Sequence, residues 1–421
     1  MIFFPFIYFL ILTIFWWKKH HSFDVCVYMS LLYTITSALA IIIVLGDMLG
    51  GGGILFDYTD AKFEFLPTLV YCIMLTITML PFSMIYGKKL KRITPTYDML
   101  LTLFSFFLIG IALINLYLVA DSTAEILSGD LSTVRNDHYE GLRSPAQIKA
   151  ESMPAIIRFL YYFNDSTILA LPILFYYICF EHKPWWFNLS LFITSISMPI
   201  AGIQMADRTE LVFYSMMFVF CIVFFKNYIS RKMKRLFYIV GIPIAAIFLI
   251  YFIAVSDARF SEREGGAITS GVQYAGQGYL NFCFFWENAK SDLISAEREF
   301  PLIHHYVLKV DSDTERRAVR AGQQGFFISV FASFFGDLLL DLSLIGAIVW
   351  VLVFFLFTCL IIKQSHREDI NVAEMLFIFM LAAVPIFGVF YYRYYSFHAT
   401  FEFILISVIY IITRIKYLIK E

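Results

Sequence analysis

Apolar runs, most of them near the roughly 20 residues a helix needs to cross a bilayer, alternate along this chain with short charged clusters. The runs cover 1–17, 23–45, 66–87, 98–120, 153–180, 185–205, 210–226, 236–255, 336–362, 372–392 and 400–416. They predict an all-α, polytopic integral membrane protein with about eleven transmembrane helices, in a range of 10–12. Basic residues gather at 18–21, 88–92, 182–183, 226–235, 363–367 and 414–420, and threading the runs back and forth puts all six clusters on one side. The bias of Lys and Arg toward the cytoplasm makes that the inner side. The chain is then expected in the inner (cytoplasmic) membrane of a bacterium, with its N-terminus outside and its C-terminus cytoplasmic. The first run has no basic residues before it and is followed by Lys18 and Lys19, the reverse of a secretory signal, so it reads as a retained span.

The same threading puts the long connections outside: 46–65, 121–152 and 256–325. The last is too aromatic for disorder, with Tyr274, Tyr279, Phe282, Phe284, Phe285 and Trp286, and reads as short amphipathic helices lying on the membrane. The expected organisation is an N-terminal transmembrane bundle over 1–255, a large periplasmic loop over 256–325 and C-terminal transmembrane helices over 326–421.

Composition narrows the class. The 421 residues are 60% hydrophobic and 15% charged, too few charges to cover a water-soluble globule of this size. With a net charge of −1, nothing suggests a nucleic-acid partner, and none is expected. Five of the six cysteines fall in predicted spans, leaving Cys283 without a loop partner, so no disulfide framework or Cys/His metal spacing is expected. No cofactor or metal is implied. Asp311-Ser312-Asp313 has the form of a metal-binding DxD, but the pattern is short, common by chance and on the outer side.

The chemistry-bearing residues on the outer side are mostly arginines. Arg208 opens the span at 210. Arg259 and Arg263 follow the span ending at 255, and Arg316, Arg317 and Arg320 lie late in the large loop, Arg316 and Arg320 sharing a face if helical. Planar guanidinium groups suit bidentate binding of phosphate. The plainer reading is local pairing, with Asp313 in reach of Arg317 and Glu262 beside Arg263; for Arg208, pinned at a span mouth, function is favoured. Arg158 and Asp165, seven residues apart in the run 153–180, would face nearly the same way on one helix and line a polar cavity, or pair with another helix. Arg393 and His398 lie in a short outer turn, with Glu402 one helical turn beyond His398. The carboxylate would orient an imidazole able to accept a proton from a hydroxyl; an interfacial His in an aromatic belt is the plainer account. Asp337 and Asp341, one turn apart at a span start, suit a hydroxyl ligand, the outer arginines, or simply the positive end of a helix.

Three segments give the chain its likeness to known proteins. These are Ala206-Asp207-Arg208-Thr209 at a span mouth, the Tyr/Gly/Phe stretch 271–282, and Phe335-Gly336-Asp337 through Gly346 at an acidic span start. In order and topology they resemble the oligosaccharide repeat-unit polymerases, the Wzy-type O-antigen and capsule polymerases. Leu342 and Ser343 stand where that pattern carries Phe-Gly. The resemblance implies a GT-C-like glycosyltransferase, metal-independent, that joins undecaprenyl-diphosphate-linked repeat units in lipopolysaccharide or capsule biosynthesis. Its partners would be the lipid-linked oligosaccharide, membrane lipid, a chain-length regulator and a flippase. It implies Arg208 first, then Arg316, Arg317 and Arg320, as diphosphate ligands, His398 with Glu402 as base, and Tyr274, Tyr279 and Trp286 as sugar-stacking rings. Arg158, Arg259, Arg263, Arg393, Asp337 and Asp341 complete the expected substrate-binding set. An O-antigen ligase uses the same donor and is the nearest alternative. A lipid-linked oligosaccharide flippase or transporter is the alternative of another class, and a non-catalytic assembly partner a third.

Overall fold

The computed structural model describes residues 1–46, 62–87, 92–94, 98–128, 145–181, 183–203, 208–235, 266–289, 299–309, 330–364 and 369–420, with isolated positions in between. In chain order its elements begin with α1 (Phe3–His20), α2 (Val25–Leu45), α3 (Phe65–Met79), α4 (Ser83–Gly87), β1 (Arg92–Thr94) and α5 (Asp98–Ser128). Then come α6 (Pro145–Glu151), α7 (Ala155–Tyr161), a 3₁₀ turn (Asn164–Leu169), α8 (Ala170–Cys179), α9 (Trp185–Ile203) and α10 (Thr209–Phe225). The chain ends with α11 (Gly266–Asn288), α12 (Ser333–Gln364), β2 (Asp369–Asn371), α13 (Val372–Phe387) and α14 (Phe397–Lys420).

The protein is an all-α, multi-pass membrane protein. Among the described residues five helical stretches are long and apolar enough to cross a membrane: Val25–Leu45, Phe65–Ile85, Met99–Ala120, Trp185–Ile203 and Ser333–Lys363. Large apolar side chains remain exposed along them: Ile345, Val349, Leu352, Val353, Leu356 and Leu360 form a continuous stripe on α12. Such a stripe is stable only against lipid. The count falls short of the expected eleven because several apolar runs make shorter helices: Asn164–Cys179, Thr209–Phe225, Val372–Phe387 and Ala399–Thr413. The run 236–255 lies mostly outside the described residues.

Local chemistry explains the boundaries. Asp24 caps α2 by accepting the Val27 N–H at 3.0 Å, and the Gly46 N–H closes its other end on the Ile42 carbonyl at 2.8 Å. Lys18, Lys19 and His20 in the last turn of α1 complement its negative end. The run 153–180 is not one helix. Pro154 starts α7, the helix ends at Tyr161, and a buried 3₁₀ turn leads into α8. β1 and β2 pair in parallel, Ile93 opposite Ile370.

The chain forms two compact units, taken one at a time below. The first comprises Met1–Leu90, Arg263–Glu368 and Phe377–Ile404, the second Lys91–Glu262, Asp369–Leu376 and Leu405–Glu421. In the first, the segment expected to form short helices on the membrane surface contains α11, one helix of 23 residues packed on α2, α3 and α12. Its glycines explain the close packing. A Cβ on Gly276 would sit 2.7 Å from the Leu39 carbonyl carbon and 2.8 Å from the Ala40 nitrogen of α2, while one on Gly271 would meet nothing within 4 Å. On the same helix Tyr279 is buried, bonds Thr68 at 2.6 Å and packs against Phe63 and Tyr71. Below it, Asn281 donates to the Phe331 carbonyl at 2.7 Å and to Gln277 at 3.1 Å.

At 31 residues, the stretch Ser333–Lys363 would be about 46 Å long if straight, more than the ~30 Å hydrocarbon core. It is not straight: Ser343 breaks α12 with φ 63° and ψ 175°, a backbone region in which glycine is the ordinary occupant. This is the residue that stands in place of the expected glycine.

Two expected outcomes follow, both read as melting temperatures of purified protein in detergent. Ser343→Gly removes about 1–3 kcal/mol of strain against about 0.4–1 kcal/mol of added unfolded-state entropy, so it raises the melting temperature. Gly276→Ala lowers stability by about 1–3 kcal/mol through collision with α2, whereas Gly271→Ala raises it by about 0.5–1 kcal/mol. Equal effects of the two alanines would contradict the packing described.

Candidate functional site

The first unit holds a group of buried ionisable residues that come from three separated segments. The part of α12 before the break carries Asp337 and Asp341, 0% and 1% exposed. The turn between α13 and α14 carries Arg393 at 3% exposed, and the second turn of α14 carries Glu402 at 1%. The segment ahead of α12 adds Glu299 and His304, both buried.

Specific contacts tie these segments together. The Asp337 Oδ2 accepts the backbone N–H of Tyr392 at 2.8 Å, fixing the residue before Arg393. The break at Ser343 deprives the carbonyls before it of helical donors, and Ala296 donates its N–H to the Asp341 carbonyl at 3.1 Å. The same Ala296 accepts from the Phe300 N–H, which seats the Glu299 segment beside α12. Tyr394 donates its hydroxyl to the Met380 carbonyl at 2.5 Å, and Thr400 bonds back to the Tyr394 carbonyl at 3.0 Å. These bonds lock the turn onto both of its helices.

The tyrosines of the turn register the surrounding charge. Burial pushes both hydroxyls above their ordinary range. The Glu299 carboxylate pushes Tyr392 the same way; Glu402 adds to the rise at Tyr394, while the Arg393 guanidinium opposes it. Arg393, Glu402 and Glu299 therefore share one low-dielectric environment with the turn, where each charge acts more strongly than in water.

This arrangement joins four of the sequence candidates: Asp337, Asp341, Arg393 and Glu402. His398 opens α14 one turn before Glu402, its side chain being outside the described residues. Tyr274 is half-buried and packs edge-on against Phe331 at 5.6 Å. Tyr279, expected as a stacking ring, is instead occupied by Thr68, Phe63 and Tyr71 and presents no free face. Arg208 belongs to the second unit, where it is the N-cap of α10, its carbonyl accepting the Val212 N–H at 3.0 Å with Glu210 in the same first turn. Arg158 and Asp165 do not share a helix. Arg158 is exposed on the seven-residue α7 and Asp165 is half-buried in the 3₁₀ turn, because the chain breaks between them. Arg259, Arg263, Arg316, Arg317, Arg320 and the Asp311/Asp313 pair lie outside the described residues.

Glu299 and His304 were not legible as site residues. They sit in a long connection with no helical period to give them a face, and the bond from Ala296 to α12 is one of the contacts that bring them in. Among the described residues no group of His, Cys, Asp and Glu side chains could hold a metal ion. Compared with known proteins, the chain matches no protein-family model, no curated protein and no solved structure.

The bond from Asp337 to the Tyr392 N–H sets a graded expectation. Asp337→Asn keeps an acceptor, while Asp337→Ala leaves a buried N–H unbonded at about 1–3 kcal/mol. Thermal melting should rank wild type above Asn and Asn above Ala. An alanine variant that melts with wild type would mean that Asp337 does not hold the turn.

Proposed function

We propose that this protein polymerises lipid-linked oligosaccharide repeat units. It would transfer a chain from its undecaprenyl-diphosphate carrier to a hydroxyl of the next lipid-linked unit, at the periplasmic face of a bacterial inner membrane. The observation that carries the reading is the junction of the acidic start of α12 with the Arg393 turn through the Asp337–Tyr392 bond. Two of the elements weighed separately in the sequence thereby become one buried, charged constellation.

The chemistry asks for two things. Breaking the bond between the anomeric carbon and the diphosphate oxygen leaves charge on the diphosphate, and forming the new carbon–oxygen bond releases the acceptor's hydroxyl proton. Guanidinium groups can stabilise the leaving diphosphate in place of a metal, a role proposed for Arg393 of the first unit, Arg208 being the candidate that the sequence resemblance implies. His398 is the proposed proton acceptor, with Glu402 one turn away on α14 to orient it. Asp337 acts as a positioning residue for the Arg393 turn. In this reading the fold is GT-C-like and the basic clusters face the cytoplasm. A chain-length regulator and a flippase would be its partners.

One observation favours a second reading. Helices broken at Ser343 and again between Tyr161 and Asn164 are of the kind that transporters build around substrates. A flippase for the same lipid-linked unit is that alternative.

Surface polysaccharide from a deletion strain, complemented with wild type, Arg208→Ala or Arg393→Ala at equal membrane abundance, decides between them. Polymerisation predicts a ladder with wild type and single repeat units in the deletion and both variants. Polymer stranded on its lipid carrier would identify a ligase. Units trapped facing the cytoplasm would identify a flippase and overturn the proposal.

A further inference from the structure

The second unit contains a buried polar network with no charged member. It lies where α5, α9 and the 3₁₀ turn at 164–169 pack together. Asn115 on α5 donates its amide N–H to the Ser197 carbonyl of α9 at 3.1 Å. The Ser197 hydroxyl donates to the Asn164 Oδ1 at 2.8 Å and lies 3.4 Å from the Thr167 hydroxyl. Thr167 in turn donates to the Asn164 carbonyl at 2.6 Å. Asn115, Thr167 and Ser197 are each 0% exposed, and Asn164 is 7% exposed.

The balance of donors and acceptors in this network is uneven. The hydroxyl hydrogens of Ser197 and Thr167 and the Asn115 amide are used within it. Besides the N–H groups of the Asn164 amide, what is left over is oxygen lone pairs. Chief among them is the Asn115 Oδ1, which is fully buried and accepts no hydrogen bond among the described residues. Leaving such an oxygen unsatisfied costs about 1–3 kcal/mol, and the hydrocarbon around these helices offers no water to relieve it. The break between α7 and α8 and Pro199 within α9 add to the surplus, since each leaves helical carbonyls without their usual N–H donors.

A site rich in acceptors selects a species that brings positive charge. Carboxylates take part in none of the bonds of the network, so a divalent ion would find too little charge, and no nitrogen or sulfur ligand favours a transition metal. Neutral amide, hydroxyl and carbonyl oxygens at a helix break fit a hard monovalent cation. We propose that Asn115, Asn164, Thr167 and Ser197 bind such a cation, with the Asn115 Oδ1 as a direct ligand. Asn115 and Ser197 lie fewer than two turns from the ends of Met99–Ala120 and Trp185–Ile203, within reach of ions from one face. The proposal rests on this unit alone and not on the glycosyl-transfer reading.

Binding of radioactive Na⁺ to the purified full-length protein in detergent tests it directly. Wild type should bind saturably, with displacement by NaCl but not by choline chloride, and should melt higher in NaCl than in choline chloride at equal ionic strength. Asn115→Leu should weaken binding at least about tenfold, while Asn115→Asp, which keeps the oxygen and the size, should bind at least as tightly as wild type. Absence of saturable binding to wild type would overturn the proposal. Unchanged binding in a folded Asn115→Leu would overturn it too. Should that variant not fold, a folded Asn115→Asp that binds about tenfold more weakly than wild type does the same.

Discussion

A helix in hydrocarbon must satisfy its own backbone, because no water is present to take a stray N–H or carbonyl. Wherever this chain departs from a continuous helix, it has to supply a substitute partner, and those substitutes organise the rest of the molecule. The break at Ser343 is answered by the Ala296 N–H on the Asp341 carbonyl. The strand-like entry to the Arg393 turn is answered by Asp337 accepting from Tyr392. The extended segment ahead of α12 is answered by Asn281 of α11 donating to the Phe331 carbonyl. In each case a side chain or a loop from a remote part of the sequence becomes indispensable to a helix end. The buried charges of the first unit are assembled by the same bonds that keep the backbone satisfied.

The periodic part of this structure was legible in the residues. Stretches such as Val25–Leu45, Met99–Ala120 and Trp185–Ile203 follow from length and apolarity, and the charged clusters bound them as expected. The breaks were not. Nothing in Leu342-Ser343-Leu344 distinguishes it from an ordinary apolar turn of helix, since serine is tolerated in helices and no proline or glycine marks the site. The interruption after Tyr161 is equally silent, and reading through it placed Arg158 and Asp165 on one face that does not exist. Hydropathy reports where a segment can reside, whereas a break is decided by whether tertiary partners are present to satisfy it.

The glycines of 271–282 carry a related lesson. As a motif they read as part of a large outer loop of short amphipathic helices lying on the membrane. In the fold they lie inside α11, and Gly276 is where the backbone of α2 comes close enough to exclude a Cβ. Small residues that allow helices to approach are a common basis of association in membranes, where apolar burial gives no net drive between helices. Tyr279, three residues on, was read as a stacking platform for the same reason, and it proves to be a buried hydroxyl bonded to Thr68. An aromatic and glycine-rich segment in a membrane protein thus describes packing at least as well as it describes binding.

The two units share a design and differ in charge. In the first, the break in α12 and the turn after α13 gather Asp337, Asp341, Glu299, Glu402 and Arg393, all buried. In the second, the break between α7 and α8 brings together the neutral groups Asn115, Asn164, Thr167 and Ser197, with Asp165 half-buried in the same turn. A neutral oxygen cluster stabilises one added positive charge without the desolvation penalty that a buried carboxylate carries when the ion leaves. A broken helix thus yields two different surroundings, buried ionisable groups in one unit and neutral oxygens in the other, because the partners that satisfy each break differ in chemistry.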